Sequence, residues 1–106
     1  MNLKLDSGVL NGCGITMNDS EQARVIAEVM RTKPGVRVSE EPALINIDAD
    51  RNLVFDMAEL SEAMGSDFDV YQFQIEVTAY YGRMVVQDDQ VILFANQEEA
   101  MKYYKG

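Results

Sequence analysis

Between Glu21 and Arg31 the apolar residues Ala23, Ile26, Ala27 and Met30 recur at i, i+3, i+4 and i+7, while Glu21, Arg24, Glu28 and Arg31 line the opposite side at pairing distance. The spacing predicts an amphipathic helix. Asn18-Asp19-Ser20 supplies candidate caps, with Asp19 and Gln22 at capping-box spacing, and Lys33-Pro34-Gly35 ends the element. Elsewhere the period shortens to two. Gly12–Met17 reads as a first strand, and Val36–Ser39 as a second that breaks at Glu40-Glu41-Pro42. Ala43–Asp48 and Asn52–Phe55 read as a hairpin around the polar turn Ala49-Asp50-Arg51. Asp56, with Glu59 three residues on, opens a helix that keeps Met57, Leu60 and Met64 on one face until Gly65. Met84–Val86 pairs with Val91–Phe94 across Gln87–Gln90, and Asn96 with Glu99 caps a last helix carrying Ala100, Met101 and Tyr104.

This order predicts an α+β fold: a single compact domain of about seven short strands in hairpins, with three or four helices packed against them. Residues 1–11 show no sustained period and read as a flexible N-terminal tail ahead of a domain over 12–106.

The stretch from Phe68 to Arg83 concentrates aromatics and reads as one helical turn feeding a strand. Strict alternation along that strand puts Ile75, Val77, Ala79 and Tyr81 on one face and Glu76, Thr78 and Tyr80 on the other. With Ile75 and Val77 marking the core side, Tyr81 packs inward and Tyr80 faces out, where an amphipathic ring can anchor an interface. Gly82 follows as a residue that tolerates positive φ.

Charge narrows the partners. The chain of 106 residues carries a net charge of -9 and a pI near 4.3, so a nucleic acid or an anionic membrane would repel it at long range. Cys13, the single cysteine, cannot form an internal disulfide, and the first residues show no basic region followed by a long apolar run, which points to the cytoplasm. Under that reading the sequon Asn18-Asp19-Ser20 is incidental. Histidine is absent, which removes the commonest general base, metal ligand and partner of a nucleophilic Ser or Cys.

Asp48-x-Asp50-x-Asn52 with Glu59 matches the oxygen-ligand spacing of an EF-hand calcium loop. The sixth position of such a loop requires glycine and here is Leu53, and the flanks read as strands rather than helices, so a polar turn and a helix cap account for these residues. Cys13 between Gly12 and Gly14 has no histidine or local positive charge to lower its pKa, and packs best as a small hydrophobe. Gly12 and Gly14 are followed by no Lys-Ser/Thr pair, so they make no phosphate loop. Met30, Met57, Met64 and Met101 fall on helix faces that need covering and read as core. Glu40-Glu41, Asp88-Asp89 and Glu98-Glu99 read as solvated turns or as a helix's first turn. The residues by themselves describe an acidic α+β domain suited to binding a protein, with no catalytic group, no cofactor site and no metal site. A stand-alone acidic module that binds a small ligand or calcium is the alternative, and a minor enzyme using Cys13 or a carboxylate pair is a third.

The runs Phe68-Asp69-Val70-Tyr71-Gln72-Phe73 and Tyr81-Gly82-Arg83-Met84-Val85-Val86, with Pro42-Ala43-Leu44-Ile45-Asn46-Ile47 upstream, resemble a known family. They are similar to the small effector, or coupling, proteins of bacterial soluble di-iron monooxygenases, the group that includes methane, toluene, phenol, alkene and propane monooxygenase regulatory components. The likeness runs from about Gly14 to Phe94 and rests on the order and spacing of the runs. The Tyr-Gly-Arg-Met-Val form looks closer to the alkane and alkene branches than to the phenol hydroxylases. The resemblance implies a cofactor-free cytoplasmic protein, monomeric when free, that docks on a hydroxylase over the helices carrying its di-iron centre. There it would adjust substrate and oxygen access and couple electron supply to hydroxylation. Carried onto this chain, the segment nearest the hydroxylase is Thr78, Ala79, Tyr80, Tyr81, Gly82 and Arg83, with Phe68 and Tyr71 as further contacts. Two tyrosines here replace small polar residues of the methane enzyme's relative.

Overall fold

A computed structural model describes residues 12–105, the side chains of Tyr104 and Lys105 excepted. The expected tail at residues 1–11 and the packing of Tyr104 lie outside the described residues. Strand β1 (Cys13–Asn18) runs through the interior of a four-stranded antiparallel sheet, between β3 (Leu44–Ala49) and β5 (Val77–Tyr81), with β2 (Val36–Glu41) beyond β3. Alternation fixes its two faces: Cys13, Ile15 and Met17 are buried with Ile45, Ile47 and Ala49, while Thr16 and Asn46 share the outer face through a 2.7 Å side-chain bond. A second sheet, β4 (Asn52–Asp56), β7 (Gln90–Phe94) and β6 (Arg83–Val86) in that order, packs its Leu53, Phe55, Val91 and Leu93 into the same core.

Helix α1 (Glu21–Arg31) buries the expected Ala23, Ile26, Ala27 and Met30. Its cap is Ser20 rather than Asp19. Ser20 is the residue in extended conformation whose hydroxyl accepts from Ala23 N at 3.0 Å, and the Asp19 carboxylate is taken by Arg24 at 2.7 Å. Helix α2 (Met57–Met64) is capped by Asp56, as its sequence predicts, and ends at Gly65 with φ 75°. Glu59 closes no capping box there, because Lys33 holds it at 2.6 Å. Helix α3 (Val70–Glu76) leads into β5, and α4 (Gln97–Lys105), with Asn96 accepting from Glu99 N at 2.9 Å, covers the far side of β7 by packing Ala100 against Ile92 and Phe94. Strand β7 is therefore buried on both faces. Met101, expected in the core, is half exposed beside that contact.

One predicted hairpin is corrected. Strands β3 and β4 do not pair: both edges of β3 are occupied, by β1 and by β2, so at Asp50-Arg51 the chain crosses to the second sheet. The hairpin lies one step earlier, between β2 and β3. Glu40 and Glu41 continue β2 in register with Ile45 and Leu44, and Pro42-Ala43 form the two-residue turn. Ala43 adopts φ 69° there, and a proline at the first corner with positive φ at the second is the type II pattern. The break expected at Glu40-Glu41-Pro42 is thus a reversal within one sheet.

The passage from β5 to β6 joins the two sheets through Gly82 alone, at φ 101°. A Cβ at this position would lie 2.7 Å from both Cys13 Cβ and the Phe94 carbonyl oxygen. Gly82→Ala is therefore expected to cost roughly 2 kcal/mol or more, from left-handed strain plus overpacking. Urea unfolding measures it, and an unshifted midpoint would mean the corner relaxes freely.

Candidate functional site

Asp69 opens α3 with a complete capping box: its carboxylate accepts from Gln72 N at 2.9 Å, and the Gln72 side chain accepts from Asp69 N at 3.0 Å. The helix runs seven residues, longer than the single turn the sequence suggested. Val70 and Phe73 face the core, where the Phe73 ring lies 4.7 Å from that of Phe55. Tyr71 and Ile75, one turn apart, are left 74% and 78% exposed. Ile75, expected on the core side of a strand, is thus a surface residue of a helix. Phe68 is corrected the other way. Only 5% exposed, it occupies the position ahead of the cap from which an apolar side chain staples the first turn to the core, and Ser61 Oγ bonds both its N–H and its carbonyl.

In β5 the register against β1 shifts by one residue. Val77 is paired with Met17 and Ala79 with Thr16, so Thr78 is the extra residue of a β-bulge. Its hydroxyl donates to the Thr16 carbonyl at 3.0 Å. The bulge reverses the phase of the next three residues. Tyr80 pairs with Ile15 and takes the inner-face direction, whereas Tyr81 pairs with Gly14 and lies on the outer face. Straight alternation had assigned the opposite faces. The relative exposures come out as expected all the same: Tyr80, on a free edge, is 53% exposed, and Tyr81 is half-buried.

Tyr81 spans β1 to reach β3, donating from its phenol to Asp48 Oδ1 at 2.8 Å. Gly14 makes this possible, because a Cβ there would collide with the Asp48 carboxylate and come within 2.7 Å of Tyr81 Cε1. Burial, then the bond to Asp48 and its charge, push the phenol up to about 12. On the reverse face Cys13 is fully buried, its thiol donating to the Leu93 carbonyl at 3.6 Å, and burial with the nearby Asp48 raises it to about 11. A thiol so placed is a poor nucleophile.

The acidic residues with calcium-loop spacing are divided among other duties: Asp48 serves Tyr81, Asp50 pairs with Arg37 at 3.1 Å, and Glu59 pairs with Lys33. Among the described residues no three His, Cys, Asp or Glu side chains are grouped to hold a metal ion, and no helix is long and apolar enough to cross a membrane.

The surface that remains is the outer side of α3 and the free edge of β5. Beside that edge a groove of about 320 Å³ is lined by Gln74, Val77, Thr78, Ala79, Tyr80 and Met84. Of the seven large apolar side chains exposed among the described residues, Tyr71, Ile75 and Tyr80 fall within ten consecutive positions, and no other ten-residue window of the described residues holds three. Arg83 follows, exposed, with no ion pair among the described residues, whereas Arg24, Arg31, Lys33, Arg37 and Lys102 each have a carboxylate partner. Tyr71, Thr78, Ala79, Tyr80 and Arg83 are thus at the surface, Tyr81 is committed to Asp48, Gly82 is a structural corner, and Phe68 is core. Ile75 is the exposed residue of this surface that straight alternation places in the core. Extending the helix by one turn, with Val70, Phe73 and Val77 at i, i+3 and i+7 inside, would have found it.

Four likenesses to known proteins bear on this surface. A family model described as the MmoB/DmpM family matches residues 11–94. The effector component of propane 2-monooxygenase from Mycolicibacterium smegmatis is 44% identical over 93 residues, which are 88% of this chain and 82% of that protein. Among solved structures, a chain of the phenol hydroxylase–regulatory protein complex superposes with a TM-score of 0.72 at 31% identity, covering 78% of this chain and 97% of that one. The soluble methane monooxygenase regulatory protein B gives a TM-score of 0.70 at 19% identity, covering 100% of this chain and 78% of that one, a likeness of fold.

The Tyr81–Asp48 bond carries a pH signature. The folded phenol at about 12 lies above the unfolded value of about 10. Its contribution is therefore complete below about pH 10 and is lost as pH rises through about 12. Tyr81→Phe is expected to lower stability at neutral pH by about 1 to 2 kcal/mol, since Asp48 also loses its donor. It should also remove the late component of the phenolate absorbance titration. A wild-type titration with no phenol above about 10 would contradict the assignment.

Proposed function

The chain belongs to the MmoB/DmpM family, and from that membership we propose that it is the effector component of a multicomponent monooxygenase, a subunit without chemistry of its own that docks on the di-iron hydroxylase. The relatives it resembles are named effector component and regulatory protein. The likeness to the phenol hydroxylase–regulatory protein complex supports a hydroxylase as partner. Identity of 44% to a propane 2-monooxygenase effector, against 31% to the phenol protein, favours a hydroxylase acting on a short alkane such as propane. Such a system works in the cytoplasm, where reductant is supplied. Bound there, the effector would bias the hydroxylase between states by its different affinity for each, and so change substrate and oxygen access and the coupling of electrons to hydroxylation.

The observation that carries the docking reading is the exposure of Tyr71 and Ile75 on α3 and of Tyr80 on the strand it feeds. Large apolar side chains held by a capped helix and a paired strand lose little freedom on association, which suits them as anchors. Thr78 and Ala79 would lie between the anchors, Gly82 would shape the end of the surface, and Tyr81 would support it from behind. Arg83, a cation with no ion pair among the described residues of an acidic protein, would pair with a carboxylate of the hydroxylase.

Tyr80→Ala and Ile75→Ala are each expected to raise the effector concentration giving half-maximal stimulation of a propane-oxidising hydroxylase by roughly 5- to 30-fold, the equivalent of about 1 to 2 kcal/mol, with unchanged melting. A phenol hydroxylase should respond more weakly to the wild-type protein. Normal stimulation by both variants would place the docking surface elsewhere.

A further inference from the structure

We propose that the β-bulge at Thr78 is a positioning device that sets the pose of the docking surface, with Thr78 and Glu76 acting through the bulge rather than by touching the partner. The inference rests on the docking reading above and adds to it which residues hold the anchors in place. Among the described residues strand β5 is an edge strand, bonded on one side only, to β1. Edge pairing is where a one-residue slip costs fewest bonds, and each slip moves every side chain to the other face. Here the two registers are distinguishable residue by residue. With the bulge, Tyr81 lies over Gly14 and Tyr80 borders the groove; without it, Tyr81 would turn toward the packed interior that Cys13 and Ile15 fill, and Tyr80 would leave the groove.

Two side-chain bonds bracket the extra residue. On one side the Thr78 hydroxyl donates to the Thr16 carbonyl, the backbone group at the register shift. On the other, Ser20 Oγ donates to Glu76 Oε1 at 2.5 Å while accepting from Ala23 N, so the last residue of α3 is tied to the first turn of α1. The bulge is thereby fixed to the two elements flanking it, β1 and α1. Thr78 is solvent-exposed, so water can replace its hydroxyl at the Thr16 carbonyl and global stability depends little on it, whereas the local register does.

The test compares Thr78→Val, which keeps the branched shape and removes the donor, with Thr78→Ser, which keeps the donor. Amide hydrogen exchange of β5 is read in the free full-length protein, and the half-maximal stimulating concentration is read with the hydroxylase. Thr78→Val should melt near the wild type, exchange faster at the Ala79 to Tyr81 amides, and need roughly fivefold more protein for half-maximal stimulation. Thr78→Ser should restore both readings. Lost stimulation with wild-type exchange would make Thr78 a direct contact and overturn the proposal, as would altered exchange with normal stimulation. Because exchange is measured without any partner and Tyr80→Ala is assayed in parallel, failure of the bulge and failure of the docking surface give different results.

Discussion

The phenol of Tyr81 resting on Asp48 across Gly14 is the contact on which the arrangement of the first sheet turns. Three adjacent strands meet in it, and the middle one contributes only the absence of a side chain. A larger residue at Gly14 would part the ring from the carboxylate, and a register error in either neighbouring strand would carry one of them to the wrong face. The bond therefore selects one alignment of β5, β1 and β3 out of several with similar backbone pairing. The same alignment brings Gly82 against Cys13 on the reverse side, which allows the chain to leave one sheet for the other within a single residue.

From that alignment the surface proposed for docking follows. Tyr81 is held to the outer face, so Tyr80 must take the edge beside the groove, and α3 enters β5 at an angle set by the Asp69 box and the buried Phe68 and Phe73. The surface proposed for docking is thus the outer side of a helix and the strand it feeds, both anchored from below. Five of the described cations are engaged by carboxylates, whereas Arg83, at the end of the surface, and Arg51, remote from it in sequence, have no ion pair among the described residues.

Much of this was legible in the chain because it is local. The 3.6-residue period of α1, the caps at Asp56 and Asn96, and the hairpin from Met84 to Phe94 depend on neighbours within a few positions, and each appears as read. What escaped was set by distant partners. Nothing near Asp50 says that β3 already has two neighbours, so β4 was paired with the wrong strand. A bulge is defined only against the partner strand, and without the Thr16 to Met17 step the alternation from Val77 to Tyr81 runs straight and assigns both tyrosines to the wrong faces. Ile75 was misplaced for a local reason, the helix boundary being drawn one turn too early although Val70, Phe73 and Val77 keep helical spacing. The family resemblance was visible in three short runs because they encode the α3–β5 unit, the Gly82 corner and the Pro42-Ala43 turn, the places where this fold leaves fewest alternatives.

The single-residue corner at Gly82 has a consequence for the thermodynamics of association. Strand β5 is bonded to the first sheet and covalently continuous, with no slack, with the second, so the edge proposed for docking cannot bend without moving a core shared by both. The configurational freedom that a looser loop would surrender on contact was already given up when the chain folded. Recognition should then resemble the meeting of two preformed bodies, with any reorganisation that accompanies complex formation falling to the partner.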